Sequence, residues 1–78
     1  MDQHFGPARF WTRYIEDKAD GFGGLRLHRE VLGQTTVAAE CVFWDASGGF
    51  TLRTIDGDIP IEIIQGLITE TQRTIKVR

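Results

Sequence analysis

The chain changes its period near residue 59. From there to Lys76, apolar residues fall at Ile61, Ile64, Leu67, Ile68 and Ile75, with Thr71 between them. That is the spacing of one helical face. Upstream, four segments read in period two, as half-buried strands do. Residues 9–17 are rich in aromatic and β-branched side chains. Residues 25–32 put Leu25, Leu27 and Val31 on one face and Arg26, His28 and Glu30 on the other, with Arg29 as a flaw on the apolar side. Residues 35–44 place Val37, Ala39, Cys41 and Phe43 on one face, and residues 50–55 place Phe50 and Leu52 there. Short glycine- and aspartate-rich stretches separate the segments, at residues 18–24, at Gly33-Gln34 and at residues 45–49. Connections this short favour neighbouring antiparallel strands. The predicted fold is therefore α+β: a four-stranded antiparallel meander in the order 1-2-3-4, with one C-terminal helix packed across one face. Residues 1–8, polar and broken by Gly6-Pro7, are expected to be a flexible N-terminal tail before a single domain over residues 9–78.

The end signals of the helix agree with this reading. Pro60 suits the first helical position, where its missing N–H costs nothing. Glu62 lies near the positive end of the helix dipole, and Arg73, Lys76 and Arg78 are expected near the negative end, the last of them outside the residues described below. Gly66 in mid-helix costs about 1 kcal/mol relative to alanine. A side chain packed close to it, Phe43 for example, would be a steric reason for glycine there.

A helix covers only one face of a sheet. The covered face is expected to hold Leu25, Leu27, Val31, Val37, Ala39, Cys41, Phe43, Phe50 and Leu52, joined by Phe10 and Tyr14. The uncovered face is expected to hold Trp11, Arg13, Arg26, His28, Glu30, Thr36, Ala38, Glu40, Val42, Trp44, Thr51, Arg53 and Ile55. This is an unusual solvated face, since two tryptophans, a valine and an isoleucine (Ile55) stand among arginines and glutamates. A contiguous apolar patch left in water marks a contact surface, and tryptophan and arginine are enriched in contact hot spots. Eight residues carry the expected interaction face: Trp11, Arg13, Arg26, His28, Glu40, Val42, Trp44 and Arg53.

Composition adjusts this picture in a few places. Seventy-eight residues with 41% hydrophobic and 26% charged content suit one folded domain and argue against disorder. A domain this short has a thin core, which self-association often supplements. A net charge of −2 offers no general attraction for nucleic acid or anionic lipid. No apolar run approaches 18 residues, and the N-terminus has neither the basic start nor the apolar stretch of a secretory signal, so a cytoplasmic, membrane-free protein is expected. Cys41 is the single cysteine, which excludes an intrachain disulfide and fits a core position.

Candidate chemistry is sparse. His4 and His28 are the only histidines, and Glu40 is the expected cross-strand partner that would orient His28 as a base. The acids Glu16, Asp17 and Asp20, and Asp56 with Asp58, gather at turns without the spacing of a calcium loop. No nucleophile elbow, zinc-protease motif or phosphate loop occurs. The expectation is a non-catalytic protein-interaction domain without metal or cofactor, whose partner is a second copy of itself, as a homodimer, or another protein. The alternative is a platform for single-stranded nucleic acid, built from Trp11, Trp44, Arg13, Arg26, Arg53 and His28. The acidic balance and Glu30 and Glu40 on the same face count against it.

Overall fold

The computed structural model describes residues 1–76. It contains five strands, β1 (Asp2–Phe5), β2 (Ala8–Asp17), β3 (Phe22–Val31), β4 (Gln34–Trp44) and β5 (Gly49–Thr54), followed by one helix, α1 (Ile61–Thr74). The strands form one antiparallel sheet in the order β1-β2-β3-β4-β5. An antiparallel sheet with a C-terminal helix is the predicted class, but the sheet has five strands instead of four. Residues 2–5, expected in a tail, pair with β2 from Asp2 opposite Trp11 to Phe5 opposite Ala8. All four β1 side chains are exposed, so no alternation marks the strand in the sequence. Polar contacts hold it instead. Arg9 donates from Nε and Nη2 to the two carboxylate oxygens of Asp2, at 3.0 and 2.8 Å. The Met1 ammonium lies 2.8 Å from Glu70 Oε1 on the helix and donates to Thr12 Oγ1 at 2.9 Å.

One irregularity shapes both faces of the sheet. Leu27 opposes Ala39 but His28 opposes Val37, so Ala38 is an extra residue, a β-bulge. Its carbonyl accepts the N–H groups of Ile55 at 2.8 Å and Asp56 at 3.3 Å. An extra residue inverts the facing of everything before it on that strand. Val37, expected inward, therefore lies on the outer face opposite His28. Thr36, expected outward, lies on the inner side opposite Arg29. Ala38 itself, also expected outward, is fully buried in the core.

The core joins Phe10, Leu25, Leu27, Ala38, Ala39 and Cys41 of the sheet to Ile63 and Leu67 of α1. The helix rests on β3 and β4. Its buried stripe is Ile63, Leu67 and Thr71, with Ile64 and Ile68 half-buried beside it, whereas Ile61, expected inward, is 74% exposed. Thr71 enters the core because its hydroxyl donates to the Leu67 carbonyl at 2.7 Å, which leaves no orphan polar atom. Pro60 has ψ 138°, an extended conformation, so it precedes the helix as its N-cap and Ile61 is the first helical residue. Gly66 faces Met1, whose Cε would lie 2.8 Å from an added Cβ; Phe43 is not the neighbour. At Gly24 a Cβ would collide with the Cys41 carbonyl oxygen and come 2.6 Å from Val42 Cα, so the close approach of β4 requires glycine there.

Two of the side chains expected beneath the helix escape it. Tyr14 is 55% and Leu52 39% exposed. The Cα envelope measures 39 × 21 × 17 Å.

Candidate functional site

The candidate site is the outer face of the sheet, which no described element covers. Residues opposite each other in an antiparallel ladder project to the same side, so the registers sort this face into cross-strand rows. One row is Asp2, Trp11, His28 and Val37. The next toward the other end is Arg13, Arg26, Glu40 and Arg53, followed by Ile15, Gly24, Val42 and Thr51, then by Asp17, Phe22, Trp44 and Gly49. Beyond the first row lie His4, Arg9, Glu30 and Thr35. All eight residues of the expected interaction face thus lie on this one side. Ile55 does not join them in a row: it follows the last residue of β5, and the neighbours of Val42 and Trp44 are Ile15 and Phe22. Phe22 was hidden in a glycine-rich segment that reads as a turn, and Val37 was hidden by the bulge.

The face is banded. Trp11 and His28 stack nearly parallel, with centroids 5.5 Å apart and planes at 13°. The Arg9 guanidinium carbon lies 4.8 Å from the Trp11 ring centroid. At the other end, the rings of Phe22 and Trp44 meet at 4.8 Å and 47°. Between the aromatic pairs runs the charged row. Arg26 donates from Nε to Glu40 Oε2 at 2.8 Å, and its Nη2 lies 2.8 Å from the same oxygen as an ion pair. Arg13 and Arg53, at the two ends of that row, are exposed and make no ion pair with a described residue. Val42 is only 8% exposed although no described element covers its face. A depression of about 500 Å³ lies among Trp11, Arg13, Ile15, Arg26, His28 and Thr35.

The ionisable groups do not converge as a catalytic set. Glu40, expected to orient His28, is bound to Arg26, and Val37 stands opposite the imidazole instead. Burial holds His28 below the usual histidine range, and the positive charges of Arg13 and Arg26 add to it. Glu16 faces the inner side opposite Gly23, where its carboxylate accepts from the Tyr14 hydroxyl at 2.8 Å. Cys41 is buried on the inner face; desolvation pushes its thiol up, against a smaller opposing effect of the Thr71 hydroxyl. Asp17 serves its own turn, accepting the Asp20 N–H at 3.0 Å. Among the described residues, no three histidine, cysteine or acidic side chains are placed to share a metal ion, and no helix is long and apolar enough to cross a membrane.

The rings of this face are partnered within the chain. A base needs an open aromatic face. Trp11 already has His28 and Arg9 against it, and Trp44 has Phe22.

No protein-family model matches the chain, and neither does any curated protein or solved structure.

Proposed function

We propose that this chain is a small non-catalytic interaction domain that associates with a second copy of itself through the outer face of its sheet. The observation that carries the reading is the banded face: two aromatic pairs and a buried valine, separated by a charged row, on a side that no described element covers. The face is also neutral in sum. Its rows hold four arginines (Arg9, Arg13, Arg26, Arg53) and four carboxylates (Asp2, Asp17, Glu30, Glu40), so two copies meet without net repulsion. A two-fold contact between identical patches is the commonest form of oligomer.

Light scattering coupled to size exclusion tests the proposal. The expected result is self-association at high micromolar concentration, with a mass that Trp44→Ala or Arg13→Glu halves while the chain stays folded. A chain that stays monomeric at that concentration overturns it. Nucleic acid is not a ligand on this reading, because a neutral face releases few counterions and its rings are already occupied. Micromolar binding of a short single strand that falls steeply with salt would reverse that preference.

A further inference from the structure

A second feature lies away from the outer face, along the free edge of β5. The phase of the β4–β5 ladder is fixed by the Ile55 N–H bond to the Ala38 carbonyl. Backbone groups alternate in direction along a strand. The N–H and C=O groups of Thr51 and Arg53 therefore point at β4, and those of Phe50, Leu52 and Thr54 point outward with no strand beside them. Sheet edges of this kind are blunted in most proteins by proline, charge, shortness or a cover. The opposite edge, β1, is short and carries Asp2 and His4. In β5 the sequence Gly-Phe-Thr-Leu-Arg-Thr holds one charge and no proline.

The inner side of the same edge is apolar and uncovered. The side of α1 that carries Gly66 and Glu70 faces Met1 and β1. At 100° per residue, Ile61, Ile64 and Ile68 lie round the other side, toward β5. Ile64, Ile68 and Phe50 pack against the core from the two elements, while Ile61 is 74% and Leu52 39% exposed. The helix itself rests mainly on β3 and β4.

We infer that a second copy of the chain lays its β5 antiparallel against this β5 about a two-fold axis at Leu52, joining two five-stranded sheets into one of ten strands. The occupant follows from the chemistry of the edge. Outward backbone donors and acceptors at alternate residues are hydrated in the single chain and match the spacing of a second strand. The register about Leu52 is self-complementary: Leu52 meets Leu52, Phe50 meets Thr54, and the single charge of the strand, Arg53, meets Thr51 instead of its own copy. On the inner side, the two shelves of Leu52 and isoleucine then shield each other from water. This contact is separate from the one proposed for the outer face and does not depend on it.

Two substitutions and one measurement on the unaltered chain test it. Leu52→Lys places a charge at the axis on a side chain that the single chain tolerates in solvent. Thr54→Pro removes an outward N–H that bonds nothing within one chain. With circular dichroism unchanged, each is expected to halve the mass measured by light scattering. In the unaltered chain, amide exchange at Phe50, Leu52 and Thr54 is expected to slow as concentration rises. Exchange at those three amides that stays fast and independent of concentration overturns the inference. So does a dimer that Trp44→Ala divides but Leu52→Lys leaves whole, a result that keeps the outer-face reading. The reverse pattern keeps the edge and removes the outer face.

Discussion

Arg29 reaches from the inner face of β3 to hold the chain at Asp56, donating to its carbonyl at 2.8 Å and to its carboxylate at 3.0 Å, and also to the Asp58 carbonyl at 3.2 Å. This explains the charged residue that interrupts the apolar side of that strand. The arginine is a clasp for the connection between β5 and α1, and its side chain is only 14% exposed. Gly57 lies directly beneath it, with φ 69° and an added Cβ only 2.9 Å from Arg29 Nη2. Arg29→Met is expected to cost about 1.5–2 kcal/mol, the loss of charge-assisted bonds to backbone oxygens. Gly57→Ala is expected to cost at least about 1 kcal/mol from the left-handed backbone alone. Urea midpoints with unchanged slopes measure both.

The helix face is open to a paired test. Leu67 is fully buried, so Leu67→Ala is expected to cost about 3 kcal/mol, enough to unfold much of a domain this small. Ile61→Ala is expected to change stability by no more than about 0.5 kcal/mol, since that side chain is already in solvent in the single chain. Equal losses at the two positions would show the helix turned from the orientation described here.

The turn between β3 and β4 has positive φ at both central residues, 51° at Leu32 and 80° at Gly33. This is the type I′ geometry that suits hairpin twist, and it starts one residue earlier than the glycine alone suggests. Leu32 is 92% exposed and contributes no packing, while a left-handed backbone costs a branched side chain about 1 kcal/mol. Leu32→Asn, which makes the favoured Asn-Gly pair, is expected to raise stability by up to about 1 kcal/mol. A thermal midpoint unchanged or lowered would contradict this.

At Gly66 two effects oppose each other. Alanine restores about 1 kcal/mol of helix propensity. Its Cβ would crowd Met1 Cε, but that atom is the far end of a flexible, unbranched side chain that packs against the core and can give by a small shift. Gly66→Ala is therefore expected to stabilise the fold, as read by thermal melting. A clear loss would mean that Met1 is fixed in place by more than its ammonium.

His28 gives the fold a dependence on acid. Its folded pKa is depressed by burial and then by Arg13 and Arg26, so the folded state takes up its proton less readily than the unfolded chain. The stabilisation from keeping the ring neutral is complete above the unfolded value of about 6.5 and is lost as pH falls from there toward the folded value. Stability is expected to fall over that window in the parent, and the fall is expected to shrink in His28→Phe. An NMR titration of the His28 ring with a midpoint at or above about 6.5 would oppose it.

The class of fold could be read from period and turn chemistry, because the β2–β5 segments and the helix each bury one side. The parts that escaped have physical reasons. β1 buries none of its side chains and carries no periodic signal. The bulge sits at Ala38 and Ala39, two small residues that look alike in either phase, so the inversion of Val37 and Thr36 left no mark in the sequence. The helix start offers isoleucine at 61, 63 and 64, and only the contact with Leu27 and Ala39 beneath decides which of them is covered. The outer face was legible as a set of residues but not as pairs. That Glu40 takes Arg26 and leaves His28 to stack on Trp11 depends on the register, which composition does not carry.

The long axis of 39 Å against 21 and 17 Å makes the single domain a short rod. A rod tumbles end over end more slowly than it spins about its axis, so the amides of this molecule should relax in two classes. It also elutes ahead of a sphere of equal mass, and a retention volume alone would read as a larger particle. Joining at β5 would change the body itself. Ten strands side by side span about 48 Å, wider than the strands are long. The rod would become a plate, its slow rotation would turn to a different axis, and the ratio between the two relaxation classes would change with it.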